Sequence, residues 1–207
     1  MGRALEKTAD DDLGILRHLA VYVPLVERRY DDALERLDGM KADPLICQWC
    51  LWPHSYVRAR IEHARGDSEL AMQEARTALQ DLDRLEDERG ASALGALARS
   101  MMYAVLGRDD AARAEADRAV ELYPVERDRP GGSAYLADRL RVLAIVGGTE
   151  ELAAEMARYL ELEAKIQYVD FLLLDPVFDR HRDHPEIQQL VQQYSLRPRP
   201  DWVTQLR

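Results

Sequence analysis

The chain has 207 residues, of which 47% are hydrophobic and only 7% aromatic, a length and apolar content that fit one domain or one short solenoid and exclude a disordered chain. The formal net charge of −10 opposes phosphate backbones and anionic membrane surfaces, and no apolar run approaches the roughly 18 residues that span a bilayer, so a soluble, cytoplasmic protein without nucleic-acid or membrane partners is expected. Two cysteines are too few for a disulfide scaffold.

Residues 1–12 are polar and read as a flexible N-terminal segment. Asp11 or Asp12 then caps a helix to about Arg28, with Ile15, Leu16, Leu19, Tyr22, Val23 and Val26 at three- and four-residue spacing. Pro24 inside that pattern is expected to kink the helix or end it early. A second helix runs from Tyr30 to Met40 and stops at Asp43-Pro44. The third is expected from Cys47 to Arg65, its regular part beginning near Pro53 and its end set by Gly66. The fourth spans Ser68 to Glu88, the fifth Ser92 to Leu106, and the sixth Asp109 to Leu122, closed by Pro124. A loop over Glu126–Gly132 leads to a seventh helix, Ser133 to Val146. Thr149 caps an eighth that continues to Gln167. No convincing strand is found; the apolar run Tyr168–Leu174 reads as a helix end or a buried extended piece. The tail closes with a short helix, Ile187 to Tyr194, and Phe178, Ile187, Leu190 and Val191 are expected to cover the eighth helix.

Four stretches repeat one pattern of a tight turn, a helix start and a small residue. Their alanines, Ala33, Ala71, Ala112 and Ala153, are 38, 41 and 41 residues apart. The third copy is the fullest, with Ala112, Ala116, Ala119 and the closing Pro124, and Tyr103 on the preceding helix. The second has Ala71, Ala75 and Ala78. These units resemble tetratricopeptide repeats, in which a small side chain sits where two paired helices cross. The units here are longer than usual and lack the customary tryptophan. The resemblance implies an all-α, right-handed superhelix of about four helical hairpins, near 14–47, 52–88, 92–124 and 133–167, within a repeat domain over 13–167. A capping helix and tail over 168–207 follow. Leu174, Asp175-Pro176, Phe178, Arg182 and Pro185 resemble the end of bacterial arrays attached to signalling and regulatory proteins.

In such repeats the first helix of each pair lines the concave face. The resemblance therefore places there His18, Tyr22, Tyr56, Arg60, His63, Leu97, Met101, Tyr135, Asp138, Arg139 and Val142. Tyr and Arg are enriched at binding hot spots, so the implied function is a non-catalytic adaptor or regulatory module that binds a polypeptide. Two alternatives stay open. One is a homo-oligomer that buries Leu13, Ile15 and Trp202 against a second copy. The other is a metal or redox protein using Cys47 and Cys50, with His54 near in sequence, against which stands the plain reading of two small buried side chains. His181 and His184 with Asp179 and Asp183 read as exposed turn and cap residues, and Asp81, Asp83, Glu86, Asp87 and Glu88 as a solvated face. No catalytic motif or cofactor signature is found, so no enzyme activity, metal or cofactor is expected.

Overall fold

The computed structural model describes residues 14–41, 44–47 and 50–195, with side chains described over 16–41, 44–45 and 52–195. The segment 1–12, Leu13, the side chains of Ile15, Cys47 and Cys50, and the tail from Leu196 through Trp202 lie outside the described residues. The described chain is helical apart from one small hairpin. Its elements are α1 (Gly14–Val26), α2 (Tyr30–Asp38), β1 (Leu45–Cys47), β2 (Cys50–Trp52), α3 (His54–Arg65), α4 (Ser68–Arg89), α5 (Ala93–Val105), α6 (Asp109–Leu122), α7 (Arg129–Val146), α8 (Thr149–Leu160), a single turn α9 (Val169–Leu172), a 3-10 turn (Pro176–Phe178) and α10 (Pro185–Tyr194).

α1 runs through Pro24 and stops two residues later. Proline cannot donate to the carbonyl four residues back. Here that carbonyl, of Ala20, accepts instead from Arg36 Nη1 of α2 at 3.2 Å. α3 begins at His54, beside Pro53, where its regular part is expected, and Cys47 and Cys50–Trp52 are not helical. A residue before proline is pushed out of the helical region, and Trp52 precedes Pro53. The chain there forms β1 and β2, paired Leu45 with Trp52, Ile46 with Leu51 and Cys47 with Cys50. Gly66 ends α3 at φ 90°, where a side chain would be strained. The cap of α4 is Asp67, not Ser68: its carboxylate accepts from Leu70 N at 3.1 Å.

α7 begins at Arg129, four residues ahead of expectation, and takes Gly131 and Gly132 into its first turns. These glycines permit close approach rather than a break. A Cβ on Gly132 would lie 2.5 Å from Val125 Cα. α8 ends at Leu160 rather than Gln167. Beyond it, backbone N–H groups find side-chain partners: Ile166 N donates to Ser133 Oγ at 3.3 Å and Gln167 N to Tyr159 Oη at 3.1 Å.

Consecutive helices pack as neighbours from α1 to α8, and α3 with α5 and α5 with α7 also touch. Ala33, Ala71, Ala75, Ala78, Ala112, Ala116 and Ala119 are all buried, as are Ala59, Ala98 and Ala104 on the facing helices. These seams admit the close approach, while larger side chains such as Leu37, Ile61, Leu82 and Met102 carry the burial energy at about 1.5–3 kcal/mol each. In the fourth copy Ala153 is buried, and Pro124 follows the end of α6.

A second core joins α7 and α8 to the closing segment, where Phe178, Ile187 and Leu190 pack with Leu152, Met156 and Leu160 and Val191 lies at its edge. His181 belongs to that core rather than to an exposed turn. It is buried, with Nδ1 2.8 Å from Thr149 Oγ1 and Nε2 2.8 Å from Ala144 O. The acidic stretch of α4 is partly engaged: Asp81 accepts from Ser55 Oγ at 2.6 Å, and Asp83 and Glu86 pair with Arg99. Arg28, at φ 59°, fastens the closing segment to the end of α1 through Asp179 at 2.5 Å and Leu174 O at 2.9 Å.

Candidate functional site

The closing segment does more than cap α8. It returns across the molecule to α1 and α3, and a polar network forms where it arrives. Asp175, at the start of the 3-10 turn, accepts through one oxygen from Arg60 Nη2 at 2.9 Å and Arg141 Nε at 3.0 Å. Its other oxygen accepts from Val177 N at 3.3 Å, as a cap does. Arg141 also donates to Asp138 Oδ1 and to Gln167 Oε1, both at 2.9 Å. The side chains of Arg60, Arg141 and Asp175 are 9%, 5% and 1% exposed. Burial pushes the Asp175 carboxyl up, but Arg60 and Arg141 more than offset it and hold it below the usual carboxylate range.

Helical spacing brings an aromatic wall to this network. His18 and Tyr22 lie one turn apart on α1 with rings 5.2 Å apart, Tyr56 and Arg60 lie one turn apart on α3, and Trp52 joins them from the end of β2. His18 meets Trp52 edge-on at 4.6 Å, Trp52 stacks on Tyr56 at 5.6 Å, and Tyr22 lies 6.5 Å from Phe171 of α9. These elements enclose a cavity of about 220 Å³ lined by His18, Tyr22, Trp52, Arg60, Asp138, Arg141 and Phe171, with Leu19 and Ile166 among the remaining walls.

Two donors at this cavity are unspent. Arg60 Nε and the Tyr22 hydroxyl are buried without a hydrogen-bond partner. Arg141 acts on the Tyr22 oxygen at short range, but arginine only donates, so the hydroxyl hydrogen still lacks an acceptor. His18 is depressed to about 3, by burial first and then by Arg60 and Arg141, with Asp175 opposing. The imidazole is thus neutral, and the potential it feels is positive. Asp138 is pushed up mainly by burial, although 31% of its side chain stays open to water, which tempers the effect.

Of the eleven residues assigned to the concave face, the fold brings His18, Tyr22, Arg60 and Asp138 to the cavity. Tyr56 is buried behind them, under Trp52 and 5.9 Å from the Arg60 guanidinium. Leu97, Met101 and Val142 are buried in the helix packing, and Tyr135 packs on Tyr123 at 5.2 Å. Arg139 spans Asp117 and Glu155, and His63, depressed by burial, lies beside the closing segment's Arg180. Sequence reading missed Trp52, Arg141, Gln167, Phe171 and Asp175. Trp52 lies in β2 ahead of Pro53, outside the helical register of Tyr56 and Arg60, and the meeting of Arg141 with Asp175 exists only in the fold, so neither had a local signal. Among the described residues, no group of three His, Cys, Asp or Glu is placed to hold a metal ion, and no helix is long and apolar enough to cross a membrane. No protein-family model matches the chain, and no curated protein or solved structure matches it.

Proposed function

We propose that the chain is a non-catalytic interaction module of tetratricopeptide type that binds a polypeptide at the mouth of this cavity. The observation that carries the reading is an exposed apolar rim. Leu19 of α1, Ile166 of the link between α8 and α9, and Phe171 of α9 line the cavity yet remain 40–45% exposed, with Leu16 of α1 and Tyr168 of the same link also exposed. Clustered apolar exposure around a pocket marks interaction surfaces, whereas isolated exposed side chains do not. The buried alanine registers and the neighbour-by-neighbour helix packing support the repeat assignment. A preformed, rigid surface leaves most of the ordering cost to the partner.

The test uses exposed residues, because replacing Tyr56 or Arg60 disturbs the core. A Leu19→Asp, Phe171→Asp double variant is expected to keep its unfolding midpoint and to lose the polypeptide that the wild-type chain retains from its source lysate. Equal retention by both proteins refutes the rim as the binding surface. Sedimentation at tens of micromolar decides the competing reading, in which the rim is covered by a second copy: a wild-type dimer that dissociates in the double variant favours self-association.

A further inference from the structure

A buried donor without an acceptor costs free energy, roughly the worth of a hydrogen bond, and native structures carry few of them. Two stand together here. Arg60, its side chain nine-tenths buried, keeps Nε–H unpaired, and the Tyr22 hydroxyl hydrogen has no acceptor, although both residues line one cavity. What satisfies them must supply acceptor oxygens. The same cavity has aromatic surfaces from His18, Trp52 and Phe171.

Size and charge narrow the class. A void of about 150 Å³ accommodates benzene, so about 220 Å³ holds one six-membered ring and a short polar arm. Arg60 and Arg141 face the cavity beside a neutral His18. Of the two nearby carboxylates, Asp175 accepts from both arginines and Asp138 accepts from Arg141 through Oδ1, the rest of its side chain being partly open to water. Each carboxylate is thus matched to an arginine, whereas Arg60 Nε–H and the Tyr22 hydroxyl hydrogen, both buried, have no acceptor.

We propose that this cavity binds a small aromatic carboxylic acid, its ring held among His18, Trp52 and Phe171 and its carboxylate accepting from Arg60 Nε and the Tyr22 hydroxyl. Charge-assisted bonds of this kind are the strong ones, and their strength grows away from water. The inference is independent of the polypeptide reading: a chain that captures no protein still binds the acid. Ordered water filling the cavity is the competing account of the two donors.

Phenylacetate titrated into the full chain by calorimetry tests it, with phenethylamine as the cationic counterpart of matched size. Saturable one-to-one binding with a Kd of about 1 mM or tighter is expected, and binding of the amine at least about tenfold weaker. Tyr22→Phe removes a hydroxyl whose hydrogen has no acceptor in the fold and which only Arg141 approaches, so its unfolding midpoint should change little while phenylacetate affinity falls about tenfold. Phe171→Ala, on an exposed turn, should weaken binding without unfolding the chain. Absence of saturable binding up to about 10 mM overturns the proposal and leaves the cavity to water. Amine binding as tight as the acid, or both variants binding like wild type, overturns it as well.

Discussion

The helix seams of α3 to α6 and the network under the closing segment hold the molecule together in opposite ways. At the seams the contact residues are alanines, fully buried and nearly costless to order, and the pairing is between sequence neighbours. Under the closing segment the contact residues are two arginines and two aspartates, and Asp175 reaches Arg60 across 115 positions and Arg141 across 34. A seam tolerates no extra volume. A network tolerates no missing charge. The seams build the helical array from local parts, while the network fixes where the far end of the chain docks.

The largest expected effect follows from removing the shared anion. Asp175→Ala strands Arg60 and Arg141 in a buried setting, and breaking a buried pair costs about 3–5 kcal/mol. Urea unfolding should show a loss of that order, with the midpoint moving and the slope unchanged. A loss below about 1 kcal/mol would place the network among surface ion pairs and dissolve the contrast.

The seams should fail by overfilling. Ala112→Leu inserts three carbons where α6 meets α5, and overpacking costs about 1–3 kcal/mol. Ala157→Leu, at a partly buried register on α8, should cost less. If the two cost the same, volume at the crossing is not what the alanines provide.

This contrast also explains what the sequence disclosed. The alanine registers and the limits of α4 and α6 were legible because they rest on local spacing and caps. The regular start of α3 was legible from Pro53, but the pairing of Leu45–Cys47 with Cys50–Trp52 was not, because Cys47 to Trp52 has a helix-compatible apolar pattern. The start of α7 was misplaced because Gly131-Gly132 has the composition of a breaker, yet serves approach to Val125. His18, Tyr22, Arg60 and Asp138 could be proposed from the repeat resemblance, which assigns one helix of each pair to a lining face. Arg141 and Asp175 could not, since their roles exist only once the closing segment has crossed back. Leu97, Met101 and Val142 share the register of a lining face but are buried between helices, which periodicity cannot distinguish.

Acidification probes the network side more gently. His18 is held near 3 by burial and by the two arginines, against about 6.5 in an unfolded chain. Between those values the unfolded state carries a proton that the folded state lacks, so stability rises with pH across the window and falls as pH drops below about 6.5. His63 and His181, both depressed chiefly by burial, add the same sign. Urea midpoints from pH 6.5 to 5 should decline, and His18→Phe should reduce the slope by at most about 1.4 kcal/mol per pH unit. A slope unchanged in that variant would assign the effect to the other two histidines.

The smallest effect belongs to the exposed link between α6 and α8. Glu151 accepts from Arg113 at 2.5 and 2.8 Å, and those hydrogen bonds lower its carboxyl below the ordinary value. Yet both side chains are a third or more exposed, and Glu151 also sits in the first turn of α8. Exposed pairs are worth about 0.2–1 kcal/mol, and a carboxylate at a helix start adds a screened amount of similar size. Glu151→Gln should therefore cost under about 1 kcal/mol at low salt and almost nothing at 1 M salt, where the screening length shrinks to about 3 Å. Asp175→Ala should lose far less of its effect to the same salt, because a buried pair is poorly screened. Equal salt sensitivity in the two variants would mean that water reaches the Arg60–Asp175–Arg141 contacts, and the division between a dry closing network and a wet helix surface would have to be abandoned.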